Sequence, residues 1–109
     1  MTNFNKSSLD TLPFSSTTAQ IALAANTALT YTIPGTASVS YRCEFSWDET
    51  QSVWVGYNVA AVTPVSGTIT QVNRIERNPK VKFVRGGDVL SFISTTIITD
   101  AGLSLLQLS

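Results

Sequence analysis

The side chains that could carry out chemistry in this sequence are seven carboxylates, one cysteine and two tryptophans, because it contains no histidine. A Ser-His-Asp or Cys-His nucleophile needs an imidazole to accept the proton, so both kinds of catalytic centre are excluded. Cys43 alone can form neither a four-ligand zinc site nor an intrachain disulfide. The sequence therefore predicts no metal and no cofactor, and a single cysteine fits synthesis in a reducing compartment.

Paired carboxylates are the remaining route to catalysis, since they work without histidine. Glu44 and Asp48 share one parity of a predicted strand, which places them about 13 Å apart. That exceeds the ~6.5–9.5 Å separation of an inverting glycosidase pair. Asp88 and Asp100 lie farther apart still, and pairs from different strands stay open. Solvated carboxylates in turns are the more common use of such residues, so we expect a protein that is not an enzyme.

Five of the seven basic residues cluster in twelve positions, opposed only by Glu76. They are Arg74, Arg77, Lys80, Lys82 and Arg85. Three interpretations compete: an edge strand that its lysines protect from further pairing, docking on an acidic protein surface, and binding of nucleic-acid phosphates. Nucleic-acid binding usually brings a basic domain and stacking aromatic residues, whereas this chain has zero net charge. We expect no nucleic-acid partner.

The elements that must position these residues are β-strands. From Thr17 onward, β-branched and aromatic residues are frequent, and turn-forming residues recur every 8–12 positions. In residues 36–47, five apolar side chains from Val39 to Trp47 alternate strictly with polar ones, which indicates one buried and one solvated face. The expected strands are 17–24, 28–33, 36–47, 53–59 (a hairpin with the preceding strand), 68–76, 80–84, 88–99 and 103–108. The predicted fold is all-β: an antiparallel, jelly-roll-like β-sandwich of about eight strands spanning 17–109.

Trp54 is the best single surface candidate, because it stands on an otherwise polar strand face. Either a loop of its own chain covers it or another chain buries it, and tryptophan is a favoured interface anchor. Asn58 shares its face in the predicted strand, so a sugar site built on this pair is a second possibility.

Residues 1–16 form a polar arm with scattered apolar residues. A disordered terminus is the common outcome, and a docking arm is the alternative. The arm lacks the apolar stretch of a secretory signal, and the sequence holds no run near the ~20 apolar residues that span a bilayer, so we expect no membrane partner. The residues we expect at a protein interface are Phe4, Leu9, Leu12, Phe14, Trp54, Arg74 and Arg77.

Residues 83–92 place a Gly-Asp turn between two strands, within a nearly helix-free chain that contains 13 Ser and 15 Thr. In these features the chain resembles small β-sandwich virion proteins of tailed bacteriophages, of the capsid decoration (cement) and fibre-tip types. The 83–92 segment is similar to the strand–turn–strand element of jelly-roll trimers of phages and of the tumour-necrosis-factor-like group. Jelly rolls usually run longer, so a minimal sandwich and a complete double Greek key both stay open.

The resemblance implies a non-enzymatic virion structural protein made in the host cytoplasm. Such a protein forms a homotrimer and clamps neighbouring capsid subunits, with the major capsid protein or another virion protein as its partner. The resemblance also implies an alternative, a carbohydrate- or receptor-binding module at a fibre tip.

Overall fold

The computed structural model describes residues 17–69 and 71–108, and these form eight β-strands joined by turns and loops, with no helix among them. The strands are β1 (Thr17–Leu23), β2 (Leu29–Thr32), β3 (Ser40–Ser46), β4 (Trp54–Tyr57), β5 (Ile75–Arg77), β6 (Val81–Arg85), β7 (Val89–Ile93) and β8 (Ile98–Gln107). No helix that could cross a membrane occurs in this described part of the chain.

The strands form two four-stranded antiparallel sheets. Sheet I has the order β1-β8-β3-β6, and sheet II has the order β2-β7-β4-β5. This arrangement is the pair of interlocked Greek keys of a jelly roll. The predicted fold class is therefore confirmed, and the double Greek key is complete despite the short chain.

The core lies between the sheets and follows from the alternation of side chains along each strand. The inward residues of β3 are Tyr41, Cys43 and Phe45, and all three are buried. Leu90 and Phe92 face them from β7 of sheet II. Two inner faces that interdigitate in this way make the dry centre of a β-sandwich.

Three aromatic rings pack together at one end of this core. The ring centroids of Phe45 and Trp47 are 5.5 Å apart in a stacked arrangement, and those of Phe45 and Phe92 are 6.4 Å apart in an edge-to-face arrangement. The Trp47 Nε1–H donates a hydrogen bond to the Pro79 carbonyl at 2.6 Å, so the indole also ties the β5–β6 turn to the core. Trp47 therefore has the structural role that its position on the apolar face predicts.

Two strand predictions are wrong in the same way. Segment 88–99 is not one strand: the chain leaves sheet II after Ile93 and joins sheet I at Ile98. Ser94 holds the crossing, since its hydroxyl donates to the Ser52 carbonyl at 2.7 Å and its carbonyl accepts from the Asn26 N–H at 2.7 Å. Likewise, β3 and β4 belong to different sheets and do not form the predicted hairpin.

Two further boundaries differ from the prediction. The expected final turn at 100–102 lies inside β8, where Gly102 pairs with Gln20 and Ser46. The expected strand 68–76 is reduced to β5, because the residues before it belong to a long loop.

Candidate functional site

The described part of the connection from β4 to β5, residues 58–69 and 71–74, lies on the outer face of sheet II. The Ala61 N–H donates to the buried Ser91 hydroxyl of β7 at 2.9 Å, and Ala61 itself is only 4% exposed. Gly56 makes this contact possible, because a Cβ at that position would lie 2.5 Å from the Val59 carbonyl oxygen. The loop is therefore seated directly on the sheet.

Trp54 borders the outer part of this loop. In register it pairs with Ile93 on one side and with Arg77 on the other. The indole is half-buried and forms one wall of a depression of about 320 Å³, whose other lining residues are Val62, Thr63, Pro64, Val65, Thr68 and Val72. Residues of its own β4–β5 loop partly cover Trp54, and burial of its remaining surface by another chain stays a prediction.

The loop exposes an unusual number of aliphatic side chains around Trp54. Val65 is 66% exposed and Ile69 is fully exposed, and Val62 and Val72 are nearly half exposed. Val62, Val65 and Val72 line the depression beside the indole, and we call these three residues and Trp54 the Trp54 patch. Single exposed aliphatic residues are ordinary, but a contiguous cluster marks an interaction surface.

Charge is absent from the patch. Residues 50–73 contain no Asp, Glu, Lys or Arg, although they form mostly loop and surface. This uncharged run of 24 residues is a sequence signal that alternation analysis passes over, because it concerns a loop and has no period.

The structure separates the two arginines that we expected at an interface. Arg77 lies beside Trp54 in register, and its Nη1 donates to the Ser52 hydroxyl at 3.2 Å. Arg74 instead lines a second depression of about 230 Å³, which opens between the β5 and β6 edges and also contains Tyr57. Within the described ranges, neither arginine has a carboxylate within 4 Å.

The two lysines of the basic cluster are paired on the surface. Lys80 binds Glu49, and Lys82 binds Glu76. Lys82 pairs with the buried Cys43 across the β3–β6 ladder. Its side chain therefore belongs to the inner face of sheet I, on the edge strand β6. Such an inward-pointing charge blocks edge-to-edge pairing, which favours the edge-protection interpretation for this part of the cluster.

Asp88 organises the turn beside the start of the loop. Its carboxylate accepts hydrogen bonds from the Tyr57 hydroxyl and the Arg85 N–H, both at 2.8 Å, and from Asn58 Nδ2 at 3.3 Å. Partial burial acts to raise the pKa of Asp88, but these hydrogen bonds outweigh it and hold the pKa below its usual value. Asn58 Oδ1 also accepts from the Val89 N–H at 2.8 Å.

Asn58 therefore serves this turn and does not line the depression beside Trp54. Its left-handed φ of 55° carries the chain out of β4 and into the loop. The predicted shared strand face of Trp54 and Asn58 is wrong, because β4 ends at Tyr57 and the alternation stops there.

The other carboxylates serve local structure. Glu44 lies 3.8 Å from Arg42 on the outer face of sheet I. The side-chain and backbone hydrogen bonds of Thr50 lower the pKa of Asp48 in the turn after β3. Asp100 is exposed on β8. Across residues 17–69 and 71–108, no three acidic or cysteine side chains come together in a way that could hold a metal ion.

Cys43 is a fully buried core residue, and burial raises the pKa of its thiol to about 12. Four of the residues that we expected at an interface, Phe4, Leu9, Leu12 and Phe14, lie outside the described residues.

No protein-family model matches this chain, and comparisons with curated proteins and with solved structures give no match either. Its function must therefore be inferred from its own fold and surfaces.

Proposed function

We propose that this chain is a non-enzymatic virion structural protein, a capsid decoration (cement) protein that forms a homotrimer and clamps neighbouring capsid subunits. The Trp54 patch is the observation that carries the proposal. It presents a half-buried indole and three exposed aliphatic side chains on one face of a jelly roll. Such a surface suits binding to another protein.

The composition of the patch supports a protein partner. Tryptophan and arginine are the residues most enriched at the centres of interfaces, and Trp54 pairs in register with Arg77. The loop also lowers the cost of binding, because none of its own side chains between residues 58 and 73 is ionised and has to be removed from water.

Three-fold symmetry would make a modest patch sufficient. Once one copy of a trimer has bound a lattice, the contacts of the other two copies become intramolecular and gain an effective concentration. Each footprint can then be small and still hold, since affinity depends on contact quality and valency as well as area.

A carbohydrate- or receptor-binding module at a fibre tip is the alternative function. A sugar site needs several convergent polar groups beside an aromatic face. The depression at Trp54 instead has aliphatic walls, with Thr63 and Thr68 as its hydroxyl-bearing residues. We therefore place a protein contact first. Selective binding of wild type, but not of Trp54→Ala, on a glycan array would reverse that order.

The oligomeric state is the first test. Analytical ultracentrifugation should give about 35 kDa, three times the 11.7 kDa of one chain. A monomer at high protein concentration would refute the trimer.

The second test measures binding to particles from the genome that encodes this chain. Labelled protein is added to particles that lack it, and the bound fraction is titrated. Loss of an interface anchor costs about 2 kcal/mol, so Trp54→Ala should weaken binding roughly 30-fold. The control is Leu29→Ala, which alters an exposed apolar side chain on β2, the edge strand of sheet II opposite β5. Equal binding by both variants would remove the patch from the contact.

A further inference from the structure

The outer face of sheet I carries a second apolar surface, at one end only. Arg42 pairs in register with Leu106 on one side and with Phe83 on the other, so these three side chains form one row across the sheet. Phe83 is 72% exposed, although it is an aromatic residue in the middle of a strand. Leu108 is 50% exposed, and its N–H donates to the Ser40 carbonyl near the same end of β3. We call Leu106, Phe83 and Leu108 the sheet I stripe.

The remainder of that outer face is polar or small apart from Val81. The outward positions away from the stripe are Thr18, Gln20, Ala22, Glu44, Ser46, Gly102 and Ser104. Apolar area is therefore concentrated at one end and is not a general property of the sheet.

The chain enters the sheet at this same end. Thr17, the first residue of β1, pairs with Leu105, which directly precedes Leu106 of the stripe. β1 and β6 are the two edges of sheet I, three strand spacings or about 14 Å apart. The sixteen residues before Thr17 could extend about 50 Å, so they can cross the whole stripe as far as Phe83.

The composition of residues 1–16 fits the stripe. They contain four large apolar side chains other than Met1, with Lys6 and Asp10 as the only charged ones. Arg42, at the centre of the stripe, carries a positive charge complementary to that of Asp10. Its guanidinium is partly exposed, and its ion pair with Glu44 is long at 3.8 Å.

We propose that residues 1–16 dock on the sheet I stripe of their own protomer, with Leu9, Leu12 and Phe14 against the apolar side chains and Asp10 facing Arg42. The arm then covers one exposed apolar surface, and the Trp54 patch on the opposite sheet stays free. This inference depends on sheet I and on the point of chain entry, and it does not require the proposed capsid function.

Proteolysis of the isolated full-length protein tests the docking. Chymotrypsin cleavage after Phe14 is followed by mass spectrometry as the appearance of a fragment that begins at Ser15. Phe83→Ser should accelerate this cleavage at least fivefold, because it removes the far end of the stripe. The control is Ile69→Ser, which removes a fully exposed aliphatic side chain of the β4–β5 loop and should leave the rate unchanged. Equal rates in all three proteins would overturn the proposal.

Disulfide trapping identifies the protomer that the arm covers. Leu9→Cys combined with Phe83→Cys, at the far end of the stripe from the point of chain entry, should form an intrachain disulfide under mild oxidation at least tenfold faster than Leu9→Cys combined with Ile69→Cys. The native Cys43 is buried and does not compete. Disulfide-linked dimers would overturn docking on the same protomer, and equal rates for the two pairs would overturn the stripe as the docking site. Because no capsid is present, either failure leaves the proposed function standing.

Discussion

Replacement of Gly56 by alanine should lift the β4–β5 loop from sheet II. The added Cβ would lie 2.5 Å from the Val59 carbonyl oxygen and 3.2 Å from the Ala61 nitrogen, both backbone atoms that cannot rotate away. The loop must therefore shift, and the hydrogen bond from the Ala61 N–H to the Ser91 hydroxyl is lost with it.

Two contributions set the size of the effect. Loss of the hydrogen bond costs about 0.5–1.5 kcal/mol. Exposure of Ala61 and of half-buried Val59 removes apolar burial worth roughly 1–2 kcal/mol. The free energy of unfolding should fall by about 2–3 kcal/mol, which for a domain of this size lowers Tm by roughly 10 °C or more.

Urea unfolding and tryptophan emission together measure this change. Movement of the loop should shift the emission of Trp54 to the red, whereas Trp47 keeps its bond to Pro79. Gly67→Ala is the control in the same loop: its φ of 80° makes alanine cost about 1–2 kcal/mol, but nothing lies near the new Cβ. If Gly56→Ala is no more destabilising than this control and emits at the wild-type wavelength, the loop is not seated as described.

Three other changes have defined outcomes. Asn78→Ala should lower the free energy of unfolding, measured in urea, by about 2–3 kcal/mol. The reason is that Asn78 Oδ1 accepts from the Val53 N–H and Asn78 Nδ2 donates to the Gln51 carbonyl, both at 2.8 Å. A loss under about 0.5 kcal/mol would contradict this. Cys43 should resist Ellman's reagent at pH 8 until urea unfolds the protein, since its thiol is buried and its pKa is about 12; reaction at the rate of a free thiol in the native state would refute that. Because the pKa of Asp88 is lower in the folded protein, the ionised carboxylate stabilises the fold at pH values above its unfolded pKa of about 3.9, and this stabilisation is lost as the pH falls through the folded pKa. Asp88→Asn should therefore lose less stability than wild type between about pH 5 and pH 2. If the free energy of unfolding in urea falls in parallel for both proteins, Asp88 is not the group responsible.

The parts of the fold that sequence predicted well are those with a local period. The alternation in residues 36–47 identified the buried face of β3, because a half-buried strand repeats every two residues. The number of strands and the all-β class followed from turn spacing in the same way.

The errors in the prediction occur where contacts between residues far apart in the sequence determine the local structure. Segment 88–99 looks like one strand because its core residues Phe92 and Ile98 share one parity, although Phe92 faces the core from sheet II and Ile98 faces it from sheet I. A single central strand would show the same composition, and only the crossing at Ser94 separates the two cases. The seating of the 58–74 loop depends on contact between Gly56 and Val59, which no periodicity reveals.

The candidate site was predicted in part. Trp54 was singled out from its parity on the strand, whereas its position beside Arg77 is known only from the register of β4 and β5. The aliphatic residues from Val62 to Val72 were missed, because their significance comes from the loop folding back beside the indole.

The position of the last strand has a consequence for biosynthesis. β8 pairs with β1 on one side and with β3 on the other. These two strands therefore lack β8 as a neighbour until residue 107 has emerged from the ribosome. β1 is synthesised well before β8, yet β8 is its neighbour in sheet I, so β1 must wait for β8 before it can be hydrogen-bonded there. Nascent chains that stall short of Leu103 would expose Tyr41, Cys43 and Phe45 to other chains, and premature termination should yield insoluble fragments instead of smaller folded ones.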